Sequence, residues 1–182
     1  IGSATRVVAR ETGAWVYGFE PDAMLVEAAD RISTQAGLAK KAAVESTLFE
    51  KSDIRDASRD AVLSFEALYT VEDKEALLAT IKRFLKPRGQ LLITDFARAI
   101  EQESSPDIEI WSAYERQPVH LAAADWYASH LGSLGFDVRV VEDMSAAYCR
   151  EIVQTLYAFS NSMTDAPVSE AFKPWILWEV EC

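Results

Sequence analysis

The sequence contains few cysteines, glycines and prolines, and it lacks any long apolar run. Its two cysteines, Cys149 and Cys182, lie far apart with no Cys or His at ligand spacing, so we expect neither a disulfide framework nor a metal site. Seven glycines and six prolines in 182 residues are too few for a disordered or fibrous chain. No stretch approaches the roughly 18 apolar residues of a membrane helix, and IGSATRVVARE at the start lacks a signal peptide's apolar core.

The remaining composition predicts one folded domain over residues 1–182, located in the cytoplasm. Acidic residues outnumber basic ones by 29 to 18, which gives a formal net charge of -11 at pH 7. An acidic surface repels nucleic acid and anionic membranes at long range, so a small molecule is the expected partner. Because the chain starts with Ile1 rather than Met, we expect a preceding segment of a longer protein.

Apolar runs alternate with amphipathic stretches along the chain. Asp22 and Asp73 are predicted to cap two helices, and Gly13 and Gly37 to close two. This alternation predicts an α/β fold: a Rossmann-like, doubly wound, mostly parallel sheet with helices on both faces. Strands are predicted in AWVYGF, AAVESTLFEKSDI, DAVLSF, QLLITDF, FDVRVVED and PWILWEVE, and we expect the last to be antiparallel. The polar segment 97–124 has no clean periodicity and is predicted to form a lid insertion between strands 5 and 6, counting one strand upstream.

Several polar side chains stand directly after predicted strands. In open α/β sheets, ligands bind outside the carboxyl ends of the strands, which draws attention to Glu20, Asp53, Glu66, Tyr69 and Asp95. A carboxylate at Glu20 could accept hydrogen bonds from both hydroxyls of a ribose. Nicotinamide-dependent enzymes place an acid at the same point, and a surface glutamate beyond a strand is the structural alternative.

The segments TGAWVYGFEPDAMLVEAA, SDI and DAVLSFEALYTVEDKEALLATIKRFLKPRGQLLITDF together resemble the class I S-adenosylmethionine-dependent methyltransferases. The likeness is most specific in LKPRGQLLITDF, and YASHLGSLGFDVRVVED looks like the penultimate helix and strand of the small-molecule members. The resemblance implies an enzyme with S-adenosylmethionine as its cofactor. It further implies that Glu20 binds the ribose, that Pro21 lies beside the adenine, that Asp53 accepts from the adenine amino group and that Ile54 packs on the ring.

The same resemblance implies that Phe65 and Glu66 line the methionine part of the cofactor. Two departures from the family pattern stand out. The glycine-rich loop would lie mostly before the first residue, so that Gly2 is its main visible member, and the visible polypeptide should then bind cofactor poorly. Arg88 stands where the family often has glycine, and we expect Gly89 to supply the positive φ that the turn needs.

The acceptor side of the site is predicted from the 97–124 insertion. Trp111 and Tyr114 could form walls that favour a cationic amine, and the acidic residues nearby are either part of that site or a solvated face. His120 is a candidate general base, with a structural role as its alternative. Tyr69 is a second candidate for the catalytic step, favoured for the pocket over the core because it follows a strand end.

Two rival functions share parts of this pattern. A nicotinamide-dependent reductase would share Glu20 and the sheet, but the sequence contains no Tyr-x-x-x-Lys pair to supply its hydride-site acid. A non-catalytic methyltransferase-like module acting as a partner subunit would fit a degenerate glycine-rich loop. Three further tryptophans are expected either in the core or at an interface between copies of the chain: Trp126, Trp175 and Trp178. The sequence is therefore compatible with a homodimer.

Overall fold

The computed structural model describes residues 2–98 and 106–162. The chain divides into two compact units, Ile1–Phe96 and Ala97–Cys182. The single domain over 1–182, with its lid at 97–124, stays a prediction. The predicted strand PWILWEVE lies outside the described residues.

In the first unit, helices and strands alternate as the sequence predicts. Two short 3₁₀ turns, Phe49–Lys51 and Leu68–Thr70, follow the second and third strands. The elements are α1 (Ser3–Thr12), β1 (Val16–Phe19), α2 (Ala23–Gln35), β2 (Ala42–Glu45), β3 (Arg59–Phe65), α3 (Lys74–Phe84) and β4 (Leu85–Thr94).

The four strands form two separate parallel pairs. β1 pairs with β2, with Val16 opposite Ala42, and β3 pairs with β4. The continuous sheet that the sequence predicted is therefore not formed by the described residues, since none of their strands joins β1 to β3. The guanidinium of Arg59, at the start of β3, lies 5.5 Å from the ring centroid of Tyr17 in β1 and makes a contact between the two pairs.

The helix boundaries follow the predicted capping residues. Oδ1 of Asp22 accepts from the backbone N–H of Met24 at 2.8 Å, and Oδ1 of Asp73 accepts from Ala76 at 2.9 Å. Gly13 closes α1 with a φ of 73°, and Gly37 follows α2 with a φ of 70°. Side-chain caps satisfy N–H groups that a helix start leaves unpaired, and glycine adopts left-handed φ without a Cβ clash, so the sequence predictions are confirmed.

Large apolar side chains fill the core around α3. Phe84 is 1% exposed, and the predicted apolar face of this helix is buried as expected. The rings of Phe19, Phe49 and Phe84 form two edge-to-face contacts with centroids 5.5 Å apart. The other buried side chains of this cluster are Leu68, Leu77, Leu78, Ile81 and Leu85.

Small residues fill the core around β1 and β2. Ala9, Ala29, Ser33 and Ala42 are each at most 2% exposed. Gly18 lets α1 approach the strand, because a Cβ there would lie 3.0 Å from Oγ1 of Thr5. This half of the unit therefore depends on close backbone approach rather than on bulky side chains.

Two expectations about this half were wrong. The nearly continuous apolar run AWVYGF predicts a strand covered on both faces, yet Trp15 is 64% exposed and Tyr17 53%. Met24 shares the helical spacing of the apolar residues of α2, which predicts burial, yet it is 79% exposed. An apolar run indicates a buried strand only where other elements cover both faces of the sheet, and the described residues leave these side chains of the run exposed.

The turn before the paired part of β4 also differs from the prediction. Arg88 adopts the left-handed conformation, with a φ of 65°, whereas Gly89 was expected to supply it. Glycine at position 89 instead allows a close backbone approach, because a Cβ there would lie 2.9 Å from the carbonyl oxygen of Lys86. The register between β3 and β4 shifts at this point, where the chain accommodates the extra residues.

The second unit contains α4 (Pro106–Glu115), α5 (Ala124–Ser133) and α6 (Ser145–Ser162). α5 and α6 form where the apolar spacing of AADWYASHLGSLG and SAAYCREIVQTLYAFSN predicts helices, whereas α4 lies in the segment 97–124, for which no helix was predicted. The predicted strand FDVRVVED is wrong, because residues 136–143 form no ladder and Val140 and Val141 are 76% and 62% exposed. A strand requires a partner for its backbone groups, and none of the described strands pairs with this segment. No described helix is long and apolar enough to cross a membrane.

Candidate functional site

Glu20 lies directly after β1, where it is tied to both neighbouring elements. Its backbone N–H donates to the carbonyl of Glu45 at the end of β2, at 3.1 Å. Its Oε1 accepts from the N–H of Asp22 at the start of α2, at 3.0 Å. A helix N-terminus stabilises a carboxylate, and a carboxylate offers about four lone-pair positions. The half-buried side chain is thus held at the carboxyl edge with capacity for further donors.

Gly2 forms the left-handed N-cap of α1, with a φ of 64°. A Cβ at this position would lie 3.2 Å from Cγ2 of Val44 and 3.3 Å from Cβ of Ala29. At the other end of the helix, Nζ of Lys41 donates to the carbonyl of Gly13 at 3.0 Å. α1 therefore starts beside the carboxyl end of β2 and ends beside its amino end, which places Gly2 at the same edge as Glu20.

The predicted adenine-binding positions follow the 49–51 turn. Phe49 packs against Phe19, the last residue of β1, so this turn lies beneath the end of that strand. Asp53 is exposed and Ile54 is half-buried, while Pro21 is exposed after Glu20. The structure thus brings the chain segments that carry these positions to one edge of the β1–β2 pair.

The end of β3 carries Phe65 and Glu66. Phe65 is 41% exposed, and Glu66 is exposed with a left-handed φ of 50°. The N–H of Glu66 donates to the carbonyl of Thr94 at 2.7 Å, which fixes this turn to β4. A left-handed residue other than glycine costs about 1–3 kcal/mol, and such residues cluster at functional sites.

Tyr69 and Asp95 meet beyond the ends of β3 and β4. Oδ1 of Asp95 accepts from the backbone N–H of Tyr69 at 3.3 Å. The ring of Tyr69, 9% exposed, packs edge-to-face on Phe96 with centroids 5.4 Å apart. Asp95, which follows a predicted strand, thus makes a contact with the loop.

Lys74 joins this cluster and was missed by sequence reasoning. Its side chain lies at the first position of α3, is 6% exposed, and its Nζ donates to the carbonyl of Val71 at 2.5 Å. Burial lowers the pKa of Lys74, and the charge of Asp95 opposes that shift. The available sequence signal was a lysine directly after the Asp73 cap, where the helix dipole disfavours a cation.

The predicted acceptor-binding residues lie in the second unit. Trp111 is half-buried on α4 and its Nε1 donates to Oε1 of Glu115 at 3.2 Å, while Tyr114 is 41% exposed. Oγ of Ser112 accepts from the N–H of Val119 at 3.0 Å, which orders the loop leading to the half-buried His120. These three candidates therefore lie on one helix and the loop that follows it. In the described ranges, no three His, Cys, Asp or Glu side chains are grouped to hold a metal.

Comparison with known proteins finds a family model that matches the first unit, and several relatives. Residues 1–93, about half of the chain, match the family model described as a methyltransferase domain. Phosphoethanolamine N-methyltransferase 3 of Arabidopsis thaliana is 29% identical over 108 residues, which are 59% of this chain and 21% of that protein. Dimethylglycine N-methyltransferase of Parasynechococcus marenigrum (strain WH8102) is 33% identical over 94 residues, 52% of this chain and 34% of that protein.

Among solved structures, phosphoethanolamine N-methyltransferase 2 of Haemonchus contortus, bound to phosphomonomethylethanolamine and S-adenosylhomocysteine, superposes with a TM-score of 0.82. It is 18% identical, and the match covers 99% of this chain and 42% of that one. The likeness confirms the α/β fold with parallel strands that the sequence predicted. The match covers about a fifth of the length of the first curated relative and about a third of the length of the second.

Proposed function

Because the chain belongs to the methyltransferase domain family, as its resemblance to the class I enzymes predicted, we propose that it transfers a methyl group from S-adenosylmethionine to a small-molecule amine. The observation that carries this proposal is the position of Glu20. It is fixed after β1 by two hydrogen bonds: its N–H donates to the carbonyl of Glu45, and its carboxylate accepts from the N–H of Asp22. The side chain is half-buried at the edge where the parallel strands end. Ligands of open α/β sheets bind along this edge.

In the proposed complex, Glu20 accepts hydrogen bonds from the ribose hydroxyls and Pro21 lies beside the adenine. Asp53 accepts from the adenine amino group, and Ile54 packs against the ring. The contact between Phe19 and Phe49 supports this assignment, since it holds the segment that leads to Asp53 against the end of β1. The exposed carboxylate of Asp53 suits the polar edge of a purine, and the half-buried side chain of Ile54 suits its apolar face.

Phe65 and Glu66 are proposed to line the methionine part of the cofactor, with Gly2 beside it. The left-handed conformation of Glu66 supports a functional role for this turn, and the tight packing around Gly2 leaves no room for a side chain there. These positions, like Glu20, follow strand ends or precede α1 at the carboxyl edge. S-adenosylmethionine supplies the electrophilic methyl group when it is bound.

The proposal includes a further parallel strand between β1 and β3 that carries the glycine-rich loop. The separation of the four strands into two pairs supports it, because the facing edges of β1 and β3 have no strand partner among the described residues. Helices on both faces, an antiparallel last strand and a lid at 97–124 are part of the same proposal. A strand in this place would also cover the open edges of the two pairs.

The acceptor is proposed to be an amine, on the strength of two relatives named for N-methylation of phosphoethanolamine and dimethylglycine. Trp111 and Tyr114 would contact its cationic form, since aromatic faces attract ammonium groups. His120 would first accept the ammonium proton, and Tyr69 would orient the nitrogen. The freed lone pair would then form the bond to the methyl carbon as the carbon–sulfur bond breaks in line with it. Orientation and exclusion of water account for the rate, without a covalent intermediate.

The net charge of -11 supports a small-molecule substrate rather than nucleic acid or an anionic membrane. We also propose a cytoplasmic location.

The test is Glu20→Ala in the intact protein, with S-adenosylmethionine binding measured by calorimetry. A hydrogen bond to a charged group contributes about 1.5–3 kcal/mol, so we expect binding at least about tenfold weaker, without unfolding. Glu27→Ala, an exposed change on α2, is the matched control and should leave affinity unchanged. Unchanged affinity in Glu20→Ala, or a preference of the intact protein for NADH over S-adenosylmethionine, would refute the proposal.

A further inference from the structure

We propose that Lys74 is a positioning residue for the methyl transfer: through Asp95 it holds the loop 66–73, and with it Tyr69, at the carboxyl ends of β3 and β4. The inference rests on the proposed function and deepens it. It adds a residue that touches neither the cofactor nor the acceptor in the proposed complex.

Lys74 occupies an unfavourable position for a lysine. It is the first residue of α3, where the unpaired N–H groups of the helix disfavour a cation, and it is 6% exposed. Lysine is almost never buried without a partner, and desolvation of its ammonium opposes folding. The stability of the fold alone does not account for an ammonium here, because an apolar side chain of the same length would avoid both costs.

The contacts of Lys74 lead directly to Tyr69. Nζ donates to the carbonyl of Val71, which closes the loop onto the start of α3. The carboxylate of Asp95 interacts with the same ammonium, and its Oδ1 accepts from the N–H of Tyr69 at 3.3 Å. Lys74 thus acts on Tyr69 by two routes, through Val71 within the loop and through Asp95 at the end of β4.

Further contacts tie the same loop to the end of β4. At one end, the N–H of Glu66 donates to Thr94, directly before Asp95. The Tyr69 ring packs against Phe96, directly after Asp95. Three consecutive residues of the β4 end therefore hold the loop, and the middle one is the half-buried carboxylate that faces Lys74. Removal of the ammonium takes away an opposite charge that acts on that carboxylate, which favours its movement toward water and away from Tyr69.

Small displacements of an orienting residue have large kinetic effects. A shift of about 1 Å at a reacting centre can lower a rate by about a hundredfold. The proposed cofactor contacts at Glu20 and Asp53 belong to the β1–β2 half, and Glu66, at the start of the loop, is anchored to Thr94 by its own backbone hydrogen bond. Loss of Lys74 should therefore lower kcat while the KM for S-adenosylmethionine stays nearly constant.

The experiment compares Lys74→Met, Lys74→Arg and Lys82→Met in the intact protein. Lys82 is exposed on the same helix, so Lys82→Met matches the loss of charge without the loss of a buried ammonium. We expect kcat in Lys74→Met to fall about 10- to 100-fold with a change of less than about threefold in the KM for S-adenosylmethionine. Lys74→Arg should recover most of the loss, and Lys82→Met should resemble the wild type. An unchanged kcat in Lys74→Met would overturn the inference.

A second measurement separates this inference from the proposed function. Amide hydrogen exchange of residues 66–73 should accelerate about tenfold or more in Lys74→Met and remain unchanged in Lys82→Met. If the intact protein methylates no amine, the proposed function fails, while exchange still decides whether Lys74 positions the loop. Unchanged exchange overturns the inference in either case.

Asp95→Asn provides an independent variant should Lys74→Met fail to fold. It keeps an oxygen that can accept from Tyr69 but removes the charge that faces Lys74. We expect kcat to fall and loop exchange to rise in the same direction as in Lys74→Met, by about tenfold or less. An Asp95→Asn protein with wild-type kcat and wild-type exchange, or one in which only the KM for the acceptor rises, would contradict the positioning role.

Discussion

The two halves of the first unit contain the same kind of β–α–β element but fill their cores differently. The half built from β3, α3 and β4 buries large side chains such as Leu78 and Phe84. The half built from β1, α2 and β2, with α1 packed on it, buries Ala29 and Ala42 and depends on close approach at Gly18. Truncation of a buried side chain should therefore destabilise the β3–α3–β4 half more. Enlargement of a small buried residue should destabilise the β1–α2–β2 half more.

The largest effect is expected from Phe84→Ala in the large-residue half. Removal of a fully buried phenylalanine forfeits its burial and leaves a cavity, so the free energy of unfolding should fall by about 3–5 kcal/mol. Denaturant unfolding monitored by circular dichroism would measure it. Leu92→Ala, at a side chain that is 51% exposed, is the control and should cost much less. A loss below about 1 kcal/mol in Phe84→Ala would remove the distinction between the halves.

A smaller loss of stability is expected from Gly18→Ala, which adds volume to the small-residue half instead of removing it. Its new methyl group would lie 3.0 Å from Oγ1 of Thr5 and 3.3 Å from Cγ2 of Val44, so overpacking should cost about 1–3 kcal/mol. Thr5→Ala in the same chain should restore part of the loss, measured by the same unfolding curves. Gly132→Ala, at a helical glycine with nothing within 4 Å of the added atom, should instead be stabilising. A neutral Gly18→Ala would mean that α1 shifts at little cost.

The smallest effect is expected at Arg88, where the large-residue half carries backbone strain. Arg88→Gly should raise the free energy of unfolding by about 1 kcal/mol, because left-handed φ costs a residue with a Cβ about 1–2 kcal/mol, partly offset by the entropy of glycine. Arg88→Ala keeps the Cβ and loses the charge, so it should show no such gain. Equal stabilities of the two variants in thermal unfolding would contradict this account.

Features of the fold that depend on local chemistry were predictable from the sequence. A carboxylate before an amphipathic stretch fixes a helix start whatever surrounds it, as at Asp22 and Asp73. The face of α3 was predictable because large apolar residues recur at helical spacing. Features that depend on distant neighbours were not: Tyr17 lies in an apolar run and is still 53% exposed, and no described strand pairs with residues 136–143.

The candidate site shows the same limit. Positions that follow strands, such as Glu20 and Glu66, could be selected because strand ends converge at one edge of a parallel sheet. Lys74 could not be selected, since its importance comes from burial beside Asp95, which is 21 positions away in the printed sequence. The left-handed conformation of Arg88 was also missed, because the neighbouring Gly89 was the better sequence candidate for a positive φ. Glycine is needed at position 89 for another reason, the close approach of the Lys86 carbonyl.

The parallel pairing of each half has a consequence for the order of folding. Val16 lies opposite Ala42 and Ala61 opposite Gln90, so each ladder closes a chain segment of about 30 residues that contains its own helix. Each half can thus nucleate within its own stretch of polypeptide, without waiting for the other. Refolding should begin from two local centres, and the Phe49 ring, which touches both Phe19 and Phe84, is where they consolidate.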